Sequence, residues 1–266
     1  MRRSGVNRVI FASGILACIL ILLYFFLPVC ALIARSSPSE MINSLGDPVV
    51  VHAVILSLST AGIATGVVVL LGTPLAYLQA RTEYPGKNLI DLIIDLPIVL
   101  PPAVAGIALL ILFGRKGVIG SVFADSGIQI LFTTTAIVLA QIFVAGPLYI
   151  RQTKSALEMV PEMYEHAART LGADRVSAIL TVTLPLAKSG IATGIALTFA
   201  RAVGEFGATI MIAGNLPGKT QTMPVAIYSL MQSDITSAIS IAVILILLSG
   251  SILAIIRIIS RSEMRC

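Results

Sequence analysis

Residues 9–34 carry no charged side chain. The run they form, between Arg8 and Arg35, is too long and too apolar to be folded away in a water-soluble core. At about 1.5 Å rise per residue a helix of this length reaches nearly 40 Å, enough to cross a ~30 Å hydrocarbon layer on a tilted path. Comparable runs follow. In all there are six, at about 8–35, 51–80, 89–113, 130–150, 186–213 and 237–259. Lipid offers no hydrogen bonds, so the backbone of each run must satisfy its own polar groups, which a helix does. The implied fold is all-α: a polytopic membrane protein with six transmembrane helices, forming a single transmembrane domain over 1–266.

Composition agrees. Charged residues make up 12% of the chain and mean hydropathy is +0.99, against about 25% charged in soluble domains. Arg2, Arg3 and Arg8 could head a cleaved signal peptide. A signal core runs to only ~7–15 residues, so a retained first span is the preferred reading. The net charge of +5 is spread over loops and not gathered on one helix or tail, which argues against nucleic acid as a partner. Cys18, Cys30 and Cys266 are too scattered for a disulfide framework, and His52 and His166 have no metal-ligand partner at helical spacing. No cofactor or metal is expected on this chain.

Counting Lys and Arg by loop sets the orientation. Of 18 cations, thirteen fall on one side: Arg2, Arg3, Arg8, Arg81, Lys87, Arg151, Lys154, Arg169, Arg175, Lys188, Arg257, Arg261 and Arg265. Four, Arg35, Arg115, Lys116 and Lys219, fall on the other, and Arg201 lies inside a span. The rich side is expected to be the cytoplasm, with both termini inside and the chain in the plasma membrane.

Several features interrupt the apolar runs. Pro97, Pro101 and Pro102 must kink or unwind the third, because proline lacks a donor and crowds the preceding turn. Asp91 and Asp95, near its start, read as acids at a solvated helix end in preference to a proton site. Gly62-x3-Gly66 and Gly190-x3-Gly194 read as ordinary bundle packing in preference to a dedicated dimer face. Arg201 and Glu205 are four apart on one helix face of the fifth run. Charges at that depth are costly, so they should face the bundle or a cavity and pair. A structural ion pair and a gate on an anion path are both open readings. In the second, Gly204 and Gly207 supply bendability, and hydroxyls such as Thr198 and Thr209 supply donors without too deep a positive well. Ala213 to Thr220, AGNLPGKT, is nearly a phosphate-binding loop, but it follows a membrane helix, and Pro224 should interrupt any helix after it. A re-entrant or surface turn on the outer side is the preferred reading.

The longest polar stretch is PEMYEHAARTLGADRVSAILTVTLP, Pro161 to Pro185, within a loop of about 157–185. Pro161, early Glu162 and Glu165, late Arg169 and a Gly172 stop outline a short helix. Met163, Ala167 and Leu171 share one face, with Tyr164 and Ala168 beside them, while Glu165, His166 and Arg169 point elsewhere. Periodicity alone leaves two options open: a face fitted to a partner's cleft, or an interfacial helix resting on the membrane.

Ala167-Ala168, then Gly172, then Val182-x-Leu184-Pro185 resembles the signature loop of permease subunits of ATP-binding-cassette importers. Their pattern begins Glu-Ala-Ala; here His166 holds the Glu position, with Glu165 one place earlier, and Val182 replaces Ile. The resemblance implies that Glu165, His166, Ala167, Ala168, Gly172, Leu184 and Pro185 belong to a coupling loop docking on a cytosolic ATPase, with Gly172 as the left-handed helix stop. Two more segments, LPIVLPPAVAGIALL (Leu96 to Leu110) and FARAVGEFGATIMIAGNLPGKTQTMPVAIY (Phe199 to Tyr228), resemble the molybdate and tungstate branch. Sulfate permeases resemble the second more loosely, in its Arg-x2-Gly-Glu core.

The implied function is import of molybdate or tungstate by alternating access, the chain itself not being an enzyme. The implied partners are a second copy of the chain, a pair of ATPase subunits, an external binding protein and membrane lipid. The binding protein would meet loops near 35–50, 114–129 and 214–236. Arg201, Gly204, Glu205, Gly207 and Thr209 are the pathway or gate residues on this reading. A sulfate-type permease is the alternative, and an ATPase-independent secondary transporter the next. The latter predicts paired intramembrane acids and broken helices repeated in two halves, a repeat this sequence lacks.

Overall fold

The computed structural model describes residues 2–262. Met1 and residues 263–266 lie outside the described residues, and with them Arg265 and Cys266 of the charge and cysteine arguments. Among the described residues every regular element is helical.

The first helix, α1 (Arg2–Arg35), turns the apolar side chains of its span outward, as a helix solvated by lipid does. A short surface helix, α2 (Pro38–Gly46), leads to α3 (Pro48–Arg81). Asp47 starts α3 by accepting the Val49 N–H at 2.8 Å, and Pro48 occupies the first-turn position where a missing N–H is harmless.

The third apolar run does not cross as one rod. It forms α4 (Lys87–Val99) and α5 (Pro102–Phe113), bent by 114° at the break between them. Leu100 is extended, as a residue before proline prefers, and Pro102 opens α5 at its first turn. The expected proline kink is therefore a sharp reversal of direction. Counted as one broken span, this pair brings the candidate crossings among the described residues from five to six.

After α6 (Gly120–Asp125) comes α7 (Thr134–Glu158), the central helix, which runs beyond the expected end at 150. Gly146-Pro147 does not stop it. Its last two turns carry Arg151 and Lys154 to the acids of α4. Lys154 Nζ meets Asp91 Oδ2 at 2.8 Å and Arg151 Nε meets Asp95 Oδ1 at 3.4 Å. Asp91 and Asp95 are thus rungs of a half-exposed ladder between two helices, a correction to the solvated helix end read from sequence.

The polar loop holds α8 (Glu162–Thr170) and the single turn α9 (Arg175–Ala178). From α9 the chain passes through a π-helical turn at Ile179–Thr183 directly into α10 (Leu184–Val203). Helix therefore begins about two turns before Leu184-Pro185, where the sequence suggested the apolar run starts. Pro185 has no N–H to offer, and the helix widens just ahead of it: the Leu184 N–H bonds the Ile179 carbonyl, five residues back. The fifth run breaks at residues 204–206 and resumes as α11 (Gly207–Ala213). Next comes α12 (Met223–Leu230), with Pro224 in its first turn, so Pro224 opens a helix where interruption was expected. The chain closes with α13 (Ile235–Ser262), started by Asp234, which accepts the Thr236 and Ser237 N–H groups.

Small residues let these helices approach. A Cβ on Gly190 would lie 2.3 Å from Ala156 Cβ, and one on Gly194 would lie 3.3 Å from Tyr149, so this pair of glycines packs α10 on α7. Gly62 and Gly66 face open space on α3. Buried contacts then gather at several levels, among them Ala105, Ile137, Ala140 and Ile212, and toward the polar loop Ala76, Tyr77, Leu157 and Ala187.

Replacing Gly190 with Ala raises helix propensity by up to about 1 kcal/mol. The clash with Ala156 should outweigh this, since overpacking costs about 1–3 kcal/mol. We expect Gly190→Ala to lower the thermal midpoint in detergent and Ala156→Gly in the same chain to restore part of the loss. An unchanged midpoint would contradict the packing.

Candidate functional site

The break between α10 and α11 is built around one carboxylate. The Gly204 and Glu205 N–H groups close the last turn of α10 on the Ala200 and Ala202 carbonyls. Glu205 then turns its side chain inward, where it is 2% exposed. Its Oε1 accepts the Ala208 N–H at 2.9 Å, capping α11, and its Oε2 meets Arg201 Nη1 at 2.6 Å. A negative charge at a helix start is favoured by the unpaired N–H groups there, and Arg201 neutralises it. The expected pair forms, with an asymmetry: Glu205 is sealed while the Arg201 side chain is 36% exposed. Guanidinium has five N–H donors, so Arg201 has donors left over on its exposed side after pairing with Glu205.

The two broken runs meet. A Cβ on Gly207 would lie 2.4 Å from Pro102 Cβ, and one on Gly106 would lie 2.6 Å from Met211 Cβ. Only a hydrogen at Gly207 lets the start of α11 seat against the start of α5 at the 114° bend. The Phe206 ring meets Tyr228 of α12 at a tilt of 43°, their ring centroids 5.1 Å apart.

Arg201, Gly204, Glu205 and Gly207 therefore lie together at the break. Thr198 and Thr209 do not join Arg201 on the open side: both are buried inside the chain, and neither hydroxyl has a partner in the structure. Gln141 of α7 was missed from sequence. It is 1% exposed, and its Nε2 donates to Thr60 Oγ1 at 3.2 Å and to the Ala202 carbonyl at 3.0 Å, tying α7 and α3 to the end of α10. A lone amide inside the apolar run Ala140-Gln141-Ile142 was the available signal.

At the polar loop, α8 turns most of its apolar face to solvent: Met163 is 68% exposed and Leu171 89%. Tyr164, His166 and Ala167 are exposed with them, and Ala168 is half-buried. Gly172, at φ +98°, takes the left-handed conformation that stops the helix. Its N–H bonds the Arg169 carbonyl at 3.1 Å, and the Ala173 N–H bonds the Ala168 carbonyl at 3.1 Å. The other side of α8 is held to the bundle. Glu165 accepts from the Tyr77 and Thr183 hydroxyls, and Arg81 donates to the Val160 carbonyl at 2.6 Å and pairs with Glu162 at 3.7 Å. Leu184 packs in the cluster of Ala76, Tyr77 and Leu157, and Pro185 is exposed on α10, so these two belong to the long helix and not to α8.

The phosphate-loop lookalike folds on itself. Gly214 and Gly218 take φ +72°, the Leu216 N–H bonds Thr220 Oγ1 at 3.2 Å, and Asn215 bonds both Ser229 and Gln221. Thr220 is buried, so the hydroxyl such a loop would offer a metal is used internally.

Residues 69–264 match the family described as the binding-protein-dependent transport system inner membrane component. The probable transport system permease protein NifC of Clostridium pasteurianum is 38% identical over 269 residues, covering 98% of this chain and 93% of that one. The molybdenum transport system permease protein ModB of Escherichia coli K12 is 45% identical over 183 residues, covering 68% and 80%. In fold the chain is similar to a protein of the bacterial ABC transporter that imports the polysaccharide alginate, with a TM-score of 0.75 at 14% identity, covering 96% of this chain and 95% of that one. On its sequence match and its helical architecture, the chain belongs to the family of inner membrane components of binding-protein-dependent transport systems.

Proposed function

We propose that this chain is the permease subunit of an importer for molybdate or tungstate. The observation that carries the proposal is the half-sealed Arg201–Glu205 pair at a helix break, in a chain 45% identical to a molybdenum transport permease over 183 residues. A tetrahedral dianion needs donors that bind it and release it again. A guanidinium neutralised on one side and open on the other meets that need.

The working unit is a homodimer, since a twofold axis through paired copies makes a symmetric path and presents a docking surface to each of a pair of ATPases. The open Arg201 side would then face the path between copies. The exposed Met163, Tyr164, Ala167 and Leu171 of α8 support docking on a cytosolic ATPase, because an apolar face this open needs a cover. ATP hydrolysis belongs to those partners, and this chain contributes motion and passage. A solute-binding protein delivers the anion at the opposite face, and both termini lie in the cytoplasm of a cell whose plasma membrane holds the complex. ATP favours one access state and the delivered anion responds to it, as any coupled pair of equilibria requires.

Uptake by proteoliposomes holding the whole complex tests this. We expect labelled molybdate to enter only with ATP and the binding protein, and tungstate to compete at equal concentration. Stronger competition by sulfate than by tungstate would favour the sulfate-type permease, and uptake that survives ATP removal would favour a secondary transporter.

Gly172 tests the coupling loop. A Cβ there meets nothing within 4 Å, so a substitution strains the backbone without crowding a neighbour. A left-handed L-residue costs about 1–2 kcal/mol, more when β-branched. Gly172→Val should raise the ATP hydrolysed per anion imported while the complex still assembles. A normal ratio would count against the assignment.

A further inference from the structure

The family pattern places a carboxylate at the position held here by His166, and His166 is exposed. The carboxylate one residue earlier faces the other way. Tyr77 Oη donates to Glu165 Oε1 at 2.7 Å, and Thr183 Oγ1 donates to Glu165 Oε2 at 3.1 Å. Tyr77 and Thr183 are 7% and 0% exposed. Both carboxylate oxygens are thus engaged with two buried hydroxyls on two different elements: the long α3, and the short π-helical turn that feeds α10. Glu165 and Tyr77 line a cleft of about 240 Å³ together with Arg81 and Arg175.

We propose that Glu165 is the positioning residue that transmits displacement of α8 into α10, and so to the Arg201–Glu205 break. The proposal rests on the permease reading above. Its physical argument is stiffness. Along the chain, Glu165 and Thr183 are separated by the left-handed turn at Gly172, the single turn α9 and a π-helical turn. Each of these is compliant, and a push on α8 carried by the backbone alone would be absorbed there. The carboxylate bypasses all three with one hydrogen bond. Beyond Thr183 the load path is stiff, because α10 runs without a break from Leu184 to Val203, about 30 Å of helix, and ends at the Arg201–Glu205 pair. The Tyr77 bond makes α3 move with it. On this account Glu165 acts within its own protomer and does not touch the ATPase, while His166, Ala167 and Leu171 make the outward face.

The test uses the complete complex in proteoliposomes and reads two quantities: ATPase retained on the tagged chain, and ATP hydrolysed per anion imported. Tyr77→Phe and Thr183→Val each delete one hydroxyl with little change of shape. Both should retain the ATPase at the wild-type level and raise the hydrolysis-to-uptake ratio by about fivefold or more, the lower end of ordinary coupling energies. Glu165→Ala should do the same, and Glu165→Gln, which keeps one acceptor, should fall between it and wild type. Wild-type ratios in Tyr77→Phe and Thr183→Val would overturn the proposal even if Glu165→Ala fails to fold. Loss of the ATPase from Glu165→Ala, with normal ratios in the two hydroxyl variants, would overturn it by showing that Glu165 contacts the partner. If the wild-type chain retains no ATPase, the permease reading itself falls and the clamp falls with it.

Discussion

A helix that breaks inside a bilayer leaves N–H and C=O groups that lipid cannot satisfy, and each one left bare costs several kcal/mol. This chain breaks two of its runs, at Leu100-Pro101 and at residues 204–206. Glu205 makes the second break tolerable. One carboxylate caps the new helix at the Ala208 N–H and neutralises Arg201. Gln141 takes up the Ala202 carbonyl on the other side of the break. The first break needs less help, because its residues are prolines that have no N–H to satisfy and its bend is covered by α11 through Gly207 and Gly106. Each break supports the other, and the place where backbone is irregular is also the place where a charge reaches the open side.

That arrangement links position to motion. Rigid helices packed through small residues have little room to deform continuously, so they shift as bodies. The long α10 joins the break at one end to the polar loop at the other. At the polar end, α8 is held on its inner side by Glu165, Glu162 and Arg81, and its outer side is bare. The ladder of Asp91 with Lys154 and Asp95 with Arg151 holds the first half of the other broken run to α7 at the same end of the bundle. Both broken elements therefore have a grip near the polar loop and a joint at the Arg201–Glu205 level.

Much of this was legible in the sequence, and the reasons differ by residue. Uncharged runs marked the spans because lipid tolerates little else. Gly172 was legible as a left-handed stop, since a glycine after a short polar helix with a cation, Arg169, in its last turn has few other uses. Arg201 and Glu205 were legible as a pair from spacing and depth. What was not legible depended on contacts distant in sequence. Three prolines announce a break in the third run, but the 114° bend depends on what packs against it. Thr198 and Thr209 were offered as donors beside Arg201 in one of two open readings of the pair; both residues are buried inside the chain, which period counting in a run apolar all round cannot decide. Glu165 was assigned to a loop docking on an ATPase, and its hydrogen-bond partners within the chain, Tyr77 and Thr183, are 88 and 18 residues away. Pro224 was read as a breaker because a proline starts or stops a helix by position, and the start of α12 at Met223 is fixed by Ser57, whose hydroxyl accepts the Met223 N–H at 2.7 Å.

The account turns on Glu205 doing two jobs at once, and a double-mutant cycle measures that directly. Stability to thermal unfolding would be compared for wild type, Arg201→Met, Glu205→Gln and the double variant, all in the same lipid nanodiscs. The account predicts that Arg201→Met costs more than Glu205→Gln, because it leaves the sealed carboxylate without its counter-charge, whereas the amide still accepts the Ala208 N–H and the freed guanidinium is on the open side, and that the two changes couple by about 1 kcal/mol or more. Equal single effects that add within about 0.5 kcal/mol would contradict it, and the break would then be held by packing alone.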